Sequence, residues 1–251
     1  MSGALAGRTA VVTGGGRGIG RATAVALVRA GVTRVALIAR SASQLEETAG
    51  EVRRAGGEPV ILAADLSDID GIAGLVQGLG DVDILINNAG TVAPLGPTVG
   101  LAPNDVLAAF RLNSVAPVVL AGRLAPRMIE RGWGRVVNVS SGAAANAANA
   151  IGSGVYAATK SALEAHTVAF AAELAGTGVT VNAYRPGIVD TAMQEWVREQ
   201  DPDAIGRELH GRFVDSHEAG RLITPERSGE ALVAHLASDA SGQVWDVNDA
   251  P

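Results

Sequence analysis

The stretch TAVVTGGGRGIGRATA, residues 9–24, constrains the fold more than any other. An apolar, β-branched run ends in a cluster of glycines, and a helical pattern begins inside that cluster. Glycine lets a backbone turn sharply and come close to a ligand. A helix start adds unpaired N–H groups and the positive end of a dipole. A strand that feeds a helix through such a turn opens a β-α-β unit with a cradle for a pyrophosphate. The spacing is T-G-x-x-x-G-x-G, from Thr13, Gly14, Gly18 and Gly20, rather than G-x-G-x-x-G. Gly14, Gly16, Arg17, Gly18 and Ile19 are the expected contacts of this turn.

The rest of the chain repeats the alternation. Strand patterns fall at 9–13, 34–39, 60–64, 84–87, 135–140, 180–184 and 244–247, and helical ones at 18–30, 43–55, 103–130, 155–175 and 225–237. Several strand runs are apolar throughout, as expected of strands covered on both faces. The expected fold is α/β: a doubly wound, Rossmann-type, mostly parallel seven-stranded sheet with helices on both faces. With 251 residues, 47% hydrophobic, residues 1–251 suit one compact domain. Segment 191–222 breaks the alternation. It is polar, mixed in charge and long for a connection, which predicts a lid over a binding site. Met193, Trp196 and Phe213 are its expected apolar contacts to substrate.

Composition narrows the function. Without cysteine there is no disulfide, thiolate nucleophile or cysteine metal site, which is compatible with the cytoplasm. The four histidines lack ligand spacing, so no metal is expected. A net charge of −6 without a basic stripe argues against nucleic acid. No apolar run reaches the ~18 residues of a membrane span. The first residues also lack the basic-then-apolar order of a signal peptide. A cytoplasmic location away from membranes is the expectation.

The second strand ends at Ala39–Arg40, and the nearest acid, Glu46, already lies in the next helix. An acid at that strand end holds the ribose 2′-OH of NAD, whereas an arginine accommodates the 2′-phosphate of NADP. Arg17 can reach the same phosphate, and two guanidiniums suit a dianion. The expected cofactor is NADP(H).

Six motifs occur in order: TGGGRGIG, NNAG (87–90), Asn113 in FRLNSVAP, VNVSSG (137–142), YAATK (156–160) and YRPGIVDT (184–191). Together they resemble the short-chain dehydrogenase/reductase family, in its compact single-domain branch, over nearly the whole chain. The resemblance implies Tyr156 as catalytic acid/base. It implies Lys160 on the nicotinamide ribose, lowering the tyrosine pKa, and Ser141 on the substrate oxygen. Asn113 would hold a water that links Lys160 to solvent. Asp65 and Leu66 would border the adenine, with Asn88, Ala89 and Gly90 flanking the cofactor. Pro186, Gly187, Val189 and Thr191 would contact its nicotinamide side.

The residues agree with that chemistry. The chain has one lysine against nineteen arginines, and that lysine follows Tyr156 by four residues, on one face of a helix. Free tyrosine, with a pKa near ~10, exchanges protons poorly at neutral pH, and a nearby cation lowers that value. Neighbouring side chains of a strand point to opposite faces, so only one of Ser140 and Ser141 faces substrate; family position favours Ser141. The segment from Ser141 to Tyr156 is about two residues longer than the family's usual one.

The expected function is NADPH-dependent reduction of a ketone. The lid and tail look, more loosely, like bacterial sepiapterin and benzil reductases. One alternative is 3-oxoacyl-[acyl-carrier-protein] reduction, with Arg123, Arg127 and Arg131 as a ridge for an acidic carrier. Another is a non-catalytic NADP-binding regulator. The small residues Ala157, Ala158, Ala162, Ala165, Ala169 and Ala172 permit close helix approach, and family members pair such helices. A homodimer or homotetramer is therefore expected.

Overall fold

The structure, a computed structural model, describes residues 3–249. Its strands are β1 (Thr9–Thr13), β2 (Arg34–Ala39), β3 (Glu58–Ala63), β4 (Ile84–Asn87), β5 (Gly134–Val139), β6 (Val179–Arg185) and β7 (Val244–Asp246). They form one sheet in the order β3-β2-β1-β4-β5-β6-β7, and every neighbouring pair is parallel, not merely most of them. The helices before the sheet's second half are α1 (Gly18–Arg29), α2 (Ala42–Arg54), α3 (Ile72–Gln77), α4 (Pro103–Phe110) and α5 (Ala116–Glu130). Then come α6 (Gly142–Ala145), α7 (Gly154–Glu173), α8 (Ala192–Arg198), α9 (Pro202–Ile205), α10 (Arg207–Glu218) and α11 (Pro225–His235).

The two-residue period of the strands divides the core. Ala10, Val12, Val35, Leu37, Ile84 and Ile86 face a layer built from α1, α2 and α11. Val11, Ala36, Ile38, Leu85 and Val136 face the opposite layer, built from α3, α5 and α7. A strand with both faces covered has no polar face, which is why these runs read as uniformly apolar. The chain reverses direction across the sheet between β1 and β4. In open α/β sheets such a reversal leaves a crevice at the carboxyl ends of the strands.

The pattern over 103–130 reads as one helix, but the structure widens it into a π-helical turn at Arg111–Val115. Two features explain the wide turn. Pro117 has no N–H to give the Asn113 carbonyl four residues back. The buried Asn113 side chain is held from outside the helix, accepting from the Thr91 N–H at 2.8 Å and donating to the Thr91 carbonyl at 2.8 Å. Pro103–Glu130 taken whole is also long and apolar enough to cross a membrane, contrary to the reading of the sequence. Its apolar residues have another use: Leu120, Ala121, Leu124, Ala125 and Met128 are buried against the sheet.

Segment 191–222 is helical rather than irregular, comprising α8, α9 and α10. It has a small core of its own, Val92, Val197, Ile205 and Leu209, against which Tyr156, Met193 and Phe213 pack. The long segment before Tyr156 folds as α6 and a 3-10 turn at Ala147–Asn149. Arg212 of α10 ties the two regions together through the carbonyls of Asn149 and Ile151.

Candidate active site

The carboxyl ends of the strands open into one cleft of about 1180 Å³, larger than the ~300–1,000 Å³ of a usual small-molecule pocket. Its floor is the point where the chain reverses. There the Thr13 hydroxyl accepts the N–H groups of Asn88 and Ala89 at 2.9 and 3.0 Å, and the Asn88 amide donates to the Thr13 carbonyl at 2.9 Å. The end of β1 and the turn after β4 are thus stitched into one surface. The glycine turn needs its glycines. Gly14 and Gly18 take φ of 64° and 55°, a region that L side chains avoid. A Cβ on Gly20 would stand 2.3 Å from the Gly14 carbonyl oxygen.

The sequence-predicted contacts converge here. Gly14, Gly16, Arg17, Gly18 and Ile19 line the cleft at the start of α1. Arg40, Asp65 and Leu66 line it beyond β2 and β3, and Asn88, Ala89 and Gly90 beyond β4. Pro186, Gly187, Val189 and Thr191 line it beyond β6, with Ser141, Tyr156 and Lys160 on the remaining side. Asn113 is the exception. It is fully buried behind Gly90, where it also donates to the Thr159 hydroxyl at 3.0 Å.

These residues fit a dinucleotide phosphate. The start of α1 has no side-chain cap and no acid in its first turn, so its N–H groups and dipole end remain available to an anion. Arg17 and Arg40 are exposed at the cleft, and neither takes part in an ion pair among the described residues. Arg21, by contrast, is spent on the Gly16 carbonyl, Glu47 and Glu51. Asp65 accepts from the Ser67 N–H and hydroxyl at 2.9 and 2.8 Å, which holds its carboxyl below the usual range, with Arg40 assisting.

Helix α7 carries Tyr156, Lys160 and Glu164 at four-residue steps, on one face. Lys160 is 4% exposed, and its Nζ donates to the Val139 carbonyl at 2.8 Å. Burial brings its pKa down to about 8, against the pull of the Glu164 carboxylate. Its Nζ lies 5.9 Å from the centroid of the Tyr156 ring. The expected depression of the tyrosine pKa is absent from this arrangement. Burial beneath the lid's apolar cluster pushes the phenol up, and the Ser141 hydroxyl pulls the other way.

The two serines separate as the strand period requires. Ser140 is buried, and its hydroxyl donates a hydrogen bond to Glu164 at 2.6 Å. Ser141 lines the cleft beside Tyr156, its Oγ accepting the Ala143 N–H at 3.2 Å. At the lid, Met193 and Phe213 line the cleft, but Trp196 does not; it is 39% exposed on another face of α8. On a short helix only part of the circumference meets the body, and a count of apolar residues does not say which.

Sequence reasoning missed Ser41, Gln44, Asn146, Asn149 and Arg212 in the cleft wall. Ser41 had a signal: a serine just after a strand end is a ready N-cap, and its hydroxyl accepts the Gln44 N–H at 3.4 Å. Arg212 had none, because its place depends on how α10 lies over the body.

The family model for short chain dehydrogenase matches residues 8–202. A short chain dehydrogenase of Pseudocercospora fijiensis is 40% identical over 77% of this chain, which spans 63% of that protein's length. The D-erythrulose reductase of Gallus gallus is 40% identical over 83% of each chain. Among solved structures, actinorhodin polyketide ketoreductase with NADPH aligns with TM-score 0.83 at 32% identity, covering 98% of this chain and 97% of that one. Xylitol dehydrogenase bound to NAD+ aligns with TM-score 0.81 at 25% identity, covering 97% and 98%. By its sequence, its sheet and the cleft at the sheet's carboxyl edge, the chain belongs to the short chain dehydrogenase family, oxidoreductases that act on CH–OH and C=O groups.

Proposed function

We propose that the chain is an NADPH-dependent carbonyl reductase in which residues 1–251 form one catalytic domain and 191–222 its lid. The observation that carries this reading is the convergence of Ser141, Tyr156 and Lys160 on the cleft that also holds the uncapped glycine turn. The cofactor, when bound, supplies the hydride. Ser141 orients the substrate oxygen, and Tyr156 hands that oxygen its phenolic proton. Lys160 keeps a positive charge beside the developing phenolate, and Asn113 fixes the wall behind it. The similarity to a D-erythrulose reductase and to a polyketide ketoreductase supports a ketone as the substrate class. Turnover of a panel of ketones, α-diketones and 3-oxoacyl thioesters, followed by NADPH absorbance, tests this.

The preference for NADP over NAD rests on Arg17 and Arg40. A hydrogen bond to a charged group is worth about 1.5–3 kcal/mol, and every 1.4 kcal/mol is about tenfold in affinity. Arg40→Ala is expected to weaken NADPH binding about 10- to 100-fold and to leave NADH binding nearly unchanged. Titration of both cofactors by fluorescence measures it; equal losses for the two would remove Arg40 from phosphate recognition.

Carrier-protein docking has less support. Arg127 and Arg131 both pair with Asp81, at 3.5 and 3.0 Å, so two of the three ridge arginines are already engaged by the protein's own surface. Pairing of two copies is supported by α7: Ala157 is buried within the subunit, but Ala158, Ala162, Ala165, Ala169 and Ala172 are exposed together with Val168. Light scattering distinguishes such an oligomer from a monomer.

A further inference from the structure

Glu164 is a carboxylate that the reaction above does not use, yet three parts of the site are tied to it. Its side chain is 13% exposed, one helical turn past Lys160 on α7. Oε1 accepts the Ser140 hydroxyl at 2.6 Å and the Arg185 Nε–H at 2.9 Å, while Oε2 accepts from Arg185 Nη2 at 2.8 Å. Two parallel guanidinium bonds fix both distance and plane. Arg185 is the last residue of β6 and leads directly into Pro186 and Gly187 at the cleft. Ser140 lies between Val139, whose carbonyl holds Lys160, and Ser141, which stands beside Tyr156. Three successive residues, the last of β5 and the two that follow it, thus meet three successive turns of α7, with Glu164 as the outermost anchor.

We infer that Glu164 is a positioning residue for the proposed reduction: it locks the end of β5 and the start of the 186–191 turn onto α7, and holds a negative charge one turn from the Lys160 ammonium. This rests on the reductase reading for its effect on turnover, but not for its effect on Lys160. The charged and titratable groups of this network are Tyr156, Lys160 and Glu164 on α7, Arg185 on β6 and Asp246 on β7, the last facing Arg185. Arg185 partly cancels Glu164. Removing the carboxylate charge therefore makes the ammonium easier to deprotonate, and removing Arg185 makes it harder.

The chain's single lysine makes this directly measurable. Protein labelled with 13Cε-lysine gives one lysine signal, whose shift against pH reports Lys160 alone. The wild-type midpoint is expected at about 8. Glu164→Gln keeps the shape and drops the charge, and should move the midpoint down by about one unit. Arg185→Gln should move it up. In turnover, Glu164→Gln is expected to lower kcat about 10- to 100-fold, the cost of a small misplacement, and to shift the alkaline limb of the pH profile with the lysine midpoint. Glu164→Asp, which keeps the charge, should hold the midpoint near the wild-type value; if Glu164→Gln does not fold, the upward shift in Arg185→Gln carries the test. Unmoved midpoints, or midpoints that move the same way in both variants, overturn the inference. A wild type inactive on every ketone, with the opposite midpoint shifts intact, would sink the reductase reading and leave the network standing.

Discussion

Lys160→Arg is expected to leave the fold intact and to remove most of the activity, about 100- to 1000-fold in kcat, the range for losing one preorganised charged donor. Arginine preserves the charge. It does not preserve the shape, because a guanidinium is a planar fork and an ammonium a compact point. Lys160 is almost fully buried, its Nζ 2.8 Å from the Val139 carbonyl, and a Cβ on Gly90 would already stand 3.5 Å from that nitrogen. A larger head group has to displace Gly90 or swing away from Tyr156. The pH profile adds a second signature. The Lys160 charge is present below its pKa of about 8 and is lost as pH rises through it, so reductive kcat/KM should fall on that alkaline side. In the arginine variant that limb should vanish, because guanidinium does not titrate in this range. Retention of more than about a third of wild-type kcat would contradict the need for a compact ammonium.

Tyr156→Phe carries the largest expected loss, about 100- to 10,000-fold in kcat, the usual contribution of a positioned acid or base. Phenylalanine keeps the ring that packs against the cluster of Val92, Val197, Ile205 and Leu209, so stability and NADPH affinity should change little. The proton is what disappears. Thermal melting and cofactor titration check the first half of this statement, and steady-state turnover of the best ketone checks the second. A variant that loses cofactor binding as well would show that the hydroxyl has a binding role instead.

Much of this was legible in residue order because local chemistry dictates it. A strand run, a glycine turn at positive φ and a helix start can hardly be arranged otherwise, so β1, the turn and α1 read directly. So does the Tyr156–Lys160 pair, which needs only helical spacing. The choice between Ser140 and Ser141 follows from strand alternation once the buried partner of one of them, Glu164, is known. What stayed hidden depends on tertiary placement. Asn113 widens its helix because Thr91, far back in sequence, holds its amide. The environment of Tyr156 depends on a lid core that only the fold assembles, which is why its pKa rises where spacing alone predicted a fall. The arginines at 127 and 131 read as a free ridge until Asp81 appears beside them.

The most direct measurement is a single turnover of NADPH-loaded protein mixed with the ketone panel, run side by side with the Tyr156→Phe variant loaded to the same extent. The expected result is loss of NADPH absorbance with at least one ketone in the wild type, and a rate at least about 100-fold slower in the variant. NADPH bound tightly by both proteins and oxidised by neither, or oxidised equally fast by both, would contradict Tyr156 as the proton donor of a carbonyl reductase.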